Sequence, residues 1–176
     1  MLHLKTILLC LFGAIAFGIV HDMITANSCV EYFTIAHPKV IESENPFMLA
    51  LVWGILATWW VGLILGILIV AFNTIGKSNT IPFSIIRRYV IRLLLMMILT
   101  SSLAGLIGYV LAVSGVIHFN GELSRVIPIN KQLAFLAVAW AHLSSYIVGF
   151  TGGIVICMKV WMQRTNPARK VKKNTL

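Results

Sequence analysis

The chain has 176 residues, of which 59% are hydrophobic and only 11% are charged, and its formal net charge is +9. A soluble domain of this size needs more polar surface than that, so the totals exclude an ordinary water-soluble protein. A lipid bilayer accepts apolar side chains on the outer surface of a protein. The composition therefore predicts one integral membrane domain that comprises residues 1–176.

Three long apolar stretches predict membrane-spanning helices. Each of them exceeds the roughly 20 residues that cross the hydrocarbon core of a bilayer. None carries an Asp, Glu, Lys or Arg in its interior. These predicted spans lie at about residues 48–72, 93–117 and 133–158.

The segment 7–25 at the start of the chain has two interpretations. Its apolar run Ile7–Val20 follows a basic start, which is typical of a cleaved secretory signal. No clean small-residue cleavage site follows Phe17 and Gly18, so we favour a retained first span. The predicted fold class is then an all-α membrane protein, a bundle of four transmembrane helices.

The charged residues predict the orientation of this bundle. The N-terminus, loop 73–92 and tail 159–176 share one side, with eleven of the fourteen basic residues and no acid. Loops 21–47 and 119–132 share the other side, with all five acids and three bases. The positive-inside rule then predicts cytoplasmic N- and C-termini and an ordered outer loop 21–47, in a multi-pass protein of a plasma or inner membrane.

The same charge distribution bears on partners. The basic tail 159–176 is expected to lie against the anionic lipids of the cytoplasmic leaflet. The net charge therefore requires no nucleic-acid partner.

Small residues recur at intervals of four along two spans and predict close helix packing. Such stripes let helix backbones approach closely in lipid, within one chain or in a homo- or hetero-oligomer. We expect the second and fourth spans to cross closely. The stripes consist of Gly54, Gly62 and Gly66 in the second span, and Ala137, Ala141, Ser145, Gly149 and Gly153 in the fourth.

Most titratable groups of interest fall on the predicted outer side. His142 is notable because it lies about ten residues inside the fourth span, about 15 Å deep at 1.5 Å per residue. A polar group at that depth is either a neutral histidine satisfied by its neighbours or a functional residue that handles a ligand or a proton. The candidate outward site comprises His21, Asp22, Glu31, His37, His118, Glu122 and His142.

Imidazoles together with carboxylates suit zinc, iron or manganese, so a metal site is one hypothesis for this side. Its candidate ligands are His21, Glu31, His37 and His142, with His118 as a further histidine. Spacing gives little support, since there is no HExxH motif and adjacent residues of a helix point about 100° apart. Haem held by His142 with His21 or His118 is an alternative.

The outer loop and the cysteines support two smaller predictions. The pattern Ser28-x-x-Glu31 matches a capping box, which predicts a short surface helix over the outer mouth of the bundle. Cys10, Cys29 and Cys157 fit no structural disulfide, and we expect Cys10 and Cys157 near opposite membrane faces.

Three classes of function remain open, and the sequence assigns neither a cofactor nor a reaction. The leading one is a small membrane subunit or scaffold that acts through its helix faces and outer loop. The second is a component of a transporter or channel. The third is a membrane-embedded metal or redox enzyme with an outward His/Glu site. Convergence of Glu31, His37 and His142 within a few ångströms would favour the third class. Scattered side chains, each satisfied locally, would fit the first class, and a polar cavity from His142 towards Thr58 and Ser145 would favour the second.

Overall fold

The computed structural model describes residues 2–76 and 79–165. It is all-helical, with 81% helix and no strand among the described residues. Four helices, α1, α3, α4 and α6, are long and apolar enough to cross a membrane. The helices are α1 (Leu2–Ser28), α2 (Glu31–Thr34), α3 (Pro46–Thr74), α4 (Phe83–Val113), α5 (Leu123–Val126) and α6 (Gln132–Thr165), and a 3-10 turn at Ile129–Lys131 precedes α6.

The four apolar helices confirm the predicted all-α class. Helices α1, α3 and α6 extend beyond the predicted spans at both ends, whereas α4 begins before the predicted third span and ends at Val113, short of residue 117. The segment that leads into the third span is continuous with it, so α4 begins at Phe83. Helix α3 begins at Pro46, where the side chain of Asn45 accepts hydrogen bonds from the N–H groups of Phe47 and Met48. Proline suits this first helical position because its missing N–H would have no partner there.

Glycines bring α1 and α3 into close contact. A methyl group placed on Gly54 would lie 2.5 Å from the backbone nitrogen of Ile19, and one on Gly62 would lie 2.5 Å from the carbonyl oxygen of Cys10. Only a residue without a side chain permits this approach. The third glycine, Gly66, faces Ile7 in the same way.

The stripe on α6 faces mainly α4. A methyl group on Gly105 of α4 would lie 3.3 Å from the carbonyl oxygen of Ala137 and 3.4 Å from the side chain of Ala141. Gly149 lies against the side chain of Met97 in α4, and Gly153 lies against Leu65 in α3. The glycines thus pair α1 with α3 and α4 with α6, whereas we expected the stripes of the second and fourth spans to meet.

The two ends of the bundle differ in their loops. We call the end with segments 29–45 and 114–131 the acidic end, and the end with residues 75–76 and 79–82 the basic end. At the basic end Asn73 accepts from the N–H of Ile81 and donates to its carbonyl. Arg164 donates to the carbonyls of Phe72 and Ile75. These bonds tie the ends of α3 and α6 to the loop.

Two expectations about local structure are wrong. Ser28 does not cap α2: its hydroxyl donates to the carbonyl of Ile24 at 2.8 Å, because α1 continues through Ser28. Cys10 and Cys157 belong to one buried cluster rather than to opposite membrane faces. The start of α1 and the end of α6 lie at the same end of an antiparallel bundle. All three cysteines are free and buried.

The basic tail was predicted to contact lipid, and its residues 166–176 lie outside the described residues. The same holds for Lys77.

Candidate metal centre

Helices α1 and α6 bring His21, Asp22 and His142 together inside the bundle. Each of the three side chains is at least nine-tenths buried. The rings of His21 and His142 meet edge to face, with centroids 4.5 Å apart. Ligand atoms of all three residues, one imidazole nitrogen from each histidine and a carboxylate oxygen, lie within 4.8 Å of one another. Neighbouring residues on α1 thus converge on a single residue of α6.

Two ring nitrogens of this cluster have no hydrogen-bond partner among the described residues. They are the Nε2 atoms of His21 and His142, and both are fully buried. The carboxylate of Asp22 does not satisfy His142, because the distance from Nε2 to Oδ1 is 4.0 Å, too long for a hydrogen bond. A buried polar atom without a partner costs about 1–3 kcal/mol. A further bonding partner for these two nitrogens would therefore stabilise the cluster.

An aromatic cover closes the cluster towards the acidic end. The ring of Tyr32 stacks on His142 with centroids 4.5 Å apart and planes 13° from parallel. Phe33, which is 3% exposed, contacts the same ring at 5.8 Å. From within α1, Phe17 stacks on His21 at 5.4 Å. We call Tyr32 and Phe33 of α2 the lid.

Electrostatic contacts anchor the lid to the bundle. Glu31 lies 3.5 Å from the ammonium group of Lys131, just before α6. It also accepts a hydrogen bond from the Cys29 thiol at 3.3 Å. Burial raises the pKa of Cys29 to about 11, with the hydrogen bond to Glu31 as the next cause, so the thiol keeps the proton that it donates.

The same contacts affect Glu31 itself. Burial acts to raise the pKa of its carboxyl group, but backbone hydrogen bonding, the Cys29 thiol and the charge of Lys131 outweigh burial. The pKa of Glu31 is lowered as a result. Burial, followed by the nearby Tyr146 and Asp22, raises the pKa of Tyr32, so its hydroxyl stays protonated at neutral pH.

Among the described residues, no other candidate of the outward site joins the cluster of His21, Asp22 and His142, so the expected convergence of Glu31, His37 and His142 is wrong. His37 packs against Trp53, with ring centroids 4.9 Å apart, and its Nδ1 atom lies 2.7 Å from the carbonyl oxygen of Tyr32. Glu31 is engaged with Lys131 and Cys29. His118 and Glu122 are exposed in the segment between α4 and α6. The predicted ligand set thus overlaps with the observed cluster only at His21 and His142.

Sequence reasoning did not single out the residues that surround the cluster. Tyr32, Phe33 and Phe17 are ordinary aromatic residues in the sequence, and no spacing links them to His142. The one available signal was composition, because the segment from Val30 to Ala36 is too apolar for a solvated linker. That signal indicated a covering segment but not what it covers.

The three side chains suit a divalent transition metal ion. Ligand atoms about 2.0–2.2 Å from one tetrahedral ion lie about 3.4 Å from each other, so shifts of about 1 Å would complete the site. Two neutral imidazoles and a carboxylate favour zinc, iron(II) or manganese(II). An ion bound through the Nε2 atoms of His21 and His142 would also satisfy these two atoms, which lack partners in the described part of the chain. Three protein ligands leave at least one coordination position open, as in catalytic rather than structural sites.

Four helices that are long and apolar enough to cross a membrane point to a helical membrane protein. The chain matches no family model, and no curated protein or solved structure is significantly similar to it.

Proposed function

We propose that the protein is an integral membrane metalloprotein that binds one divalent transition metal ion through His21, Asp22 and His142. One observation carries this proposal: two buried imidazole nitrogens without partners lie beside a buried carboxylate. Burying three such groups together is unfavourable unless they bond to a common partner. A divalent cation supplies that bond and offsets the charge of Asp22.

We further propose that the acidic end faces the outside of a plasma or inner membrane. The positive-inside rule supports this orientation, because all five acids belong to the acidic end or to α1 near it. The centre then lies in the outer half of the bundle beneath the lid. The basic tail would contact the anionic cytoplasmic leaflet.

The other two classes of function have less support. A scaffold would use the small-residue stripes for partners, yet Gly54, Gly62 and Gly66 face α1 and are covered within the chain. A transporter would need polar groups that continue past His142. The hydroxyls of Thr58 and Ser145 instead donate to the carbonyls of Gly54 and His142 in their own helices.

Metal analysis of purified variants tests the proposal. We expect the wild-type protein, incubated with zinc, iron(II) or manganese(II) and desalted, to retain one ion per chain. His21→Gln, Asp22→Asn and His142→Gln should lose the ion. His37→Gln and His118→Gln are matched controls, because they remove histidines of the same end that are outside the cluster, and both should retain it.

Helix content measured by circular dichroism shows whether each variant is folded. A folded wild-type protein that retains no ion would contradict the proposal. Equal loss of metal from His118→Gln and His142→Gln would contradict it as well.

A further inference from the structure

A cavity lies at the acidic end, between segment 34–44 and the first two turns of α3. Its volume is about 360 Å³. Sites for small molecules usually measure about 300–1,000 Å³, so this cavity is large enough for one. Phe33 and Leu49 form the most buried part of its lining, since each is 3% exposed. The half-buried Trp53 packs against the same hydrophobic cluster and also lines the cavity.

The segment that covers this cavity has backbone groups available for a ligand. Residues 36–44 lie between α2 and α3 and form neither helix nor strand. None of their backbone groups makes a hydrogen bond to the backbone of another described residue. Water that solvates such N–H and carbonyl groups can be replaced by the polar group of a bound molecule. The cavity therefore combines an apolar inner surface with hydrogen-bonding groups on its outer side.

The charged side chains of the lining favour a cation. They are Lys39, Glu42 and Glu44, one base and two acids, so their formal charges sum to −1. Lys39 and Glu42 form an ion pair with a distance of 2.5 Å. Glu44 is exposed and forms no ion pair with another described residue. The whole segment 21–47 holds four acids and one base, so its field also attracts positive charge.

Trp53 adds an aromatic surface beside these carboxylates. Its ring contacts His37, with centroids 4.9 Å apart, but it still contributes to the lining of the cavity. An ammonium group within about 6 Å of an indole ring is attracted by the ring's electrons. A cavity of about 150 Å³ binds benzene. The volume of about 360 Å³ therefore has room for an aromatic ring with a short charged arm.

We propose that this cavity binds an arylalkylammonium ion, that is, an aromatic ring joined by a short chain to a protonated amine. The aromatic ring packs on Phe33, Leu49 and Trp53. The ammonium group lies near Glu44 and donates hydrogen bonds to carbonyl groups of residues 36–44. The site is separate from the proposed metal centre, because none of the three candidate metal ligands lines the cavity.

Calorimetric titration of the metal-free protein in lipid nanodiscs provides the test, with the heat of empty nanodiscs subtracted. The probe is 2-phenylethylammonium, which should bind saturably and more weakly as the ionic strength rises. The neutral 2-phenylethanol has a similar shape without the charge, and 3-phenylpropionate has the opposite charge. Both should bind at least about tenfold more weakly, because neither offers a cation to Trp53 and Glu44.

Two pairs of variants locate the binding site. Glu44→Gln should raise the dissociation constant of 2-phenylethylammonium about threefold, as expected for one exposed charge. Its control is Glu122→Gln, an exposed glutamate of the same end that does not line the cavity. Trp53→Leu should raise the constant about fivefold. Its control is Trp60→Leu, which changes a tryptophan of the same helix that is 49% exposed and outside the cavity.

The outcomes are decisive for this site and leave the metal centre to its own test. Absence of saturable binding, or equal binding of the three ligands, overturns the proposal. Unchanged affinity in both Glu44→Gln and Trp53→Leu overturns it too. His142→Gln should bind the probe as the wild type does, and loss of binding there would place the ligand at the metal cluster instead.

A second measurement applies if Trp53→Leu does not fold. An azide-substituted 2-phenylethylammonium can be crosslinked by light to the wild-type protein and located by mass spectrometry. Crosslinks concentrated in residues 33–53 and suppressed by excess 2-phenylethylammonium support the site. Crosslinks spread over the lipid-facing helices overturn it.

Discussion

The ring of Tyr32 stacks on the ring of His142, with centroids 4.5 Å apart and planes 13° from parallel. This contact joins a short helix at the acidic end to a histidine inside a spanning helix. It makes the lid part of the environment of the candidate metal centre. Changes to Tyr32 should therefore be measurable at His142.

Removal of the Tyr32 ring should expose the centre. We expect Tyr32→Ala to increase the rate at which diethylpyrocarbonate modifies His142, measured by mass spectrometry of the metal-free protein. Tyr32→Phe retains the stacked ring and should react as slowly as the wild type. Equal rates in Tyr32→Ala and the wild type would show that Tyr32 does not shield His142.

The contact between Glu31 and Lys131 should make the stability of the lid depend on pH. The pKa of Glu31 is lowered on folding, so its stabilising effect is present above the ordinary value of 4.5 and is lost as the pH falls through the lower, folded value. The groups that face it are Lys131 and the Cys29 thiol. Since the side chain of Lys131 is 40% exposed, we expect at most about 1 kcal/mol.

Denaturation of the wild type and of Glu31→Gln at neutral pH and at about pH 3 measures this effect. The wild type should be the more stable protein at neutral pH, and the difference should disappear in acid. A difference that persists unchanged in acid would contradict an ionic contribution from Glu31.

The close contact of α1 and α3 predicts a strong effect of one methyl group. Gly54→Ala would place that group 2.5 Å from the backbone of Ile19, so we expect a loss of about 1–3 kcal/mol in the free energy of unfolding. Gly149→Ala is the control on the other stripe, since its methyl group meets the mobile end of Met97 at 3.1 Å. Thermal denaturation in detergent compares them. Equal effects would contradict this assignment of the helix pairs.

The proposed orientation can be tested in intact cells. Glu44 and Thr80 are exposed residues in loops at the acidic and basic ends. A maleimide reagent that does not cross membranes should label Glu44→Cys and should label Thr80→Cys only after lysis. The native cysteines are buried and provide a low background. Labelling of Thr80→Cys alone in intact cells would show the opposite orientation.

Some of this structure follows directly from the sequence, and some of it depends on contacts that a sequence does not encode locally. The four apolar helices were predictable because length and hydropathy are local properties. The polar residues His21, Asp22 and His142 were predictable as candidates because each is unusual near or inside an apolar helix.

Their grouping was not predictable, because it depends on the rotation of α1 against α6. His21 and Asp22 are adjacent on α1, so their side chains were expected to point about 100° apart. Both side chains nevertheless lie close to His142 of α6. Ser28 matched a capping pattern, but α1 continues past that pattern. The glycine stripes predicted close contacts without identifying the partner helix of each stripe.

The central claim is that His21 and His142 together ligate one metal ion, and X-ray absorption at the metal edge of the zinc-loaded protein tests it most directly. The account predicts nitrogen and oxygen ligands at about 2.0–2.2 Å, with the outer-shell scattering of two imidazole rings. His142→Gln should reduce that scattering to one ring. A first shell of sulfur, or of oxygen alone without imidazole scattering, would contradict the claim.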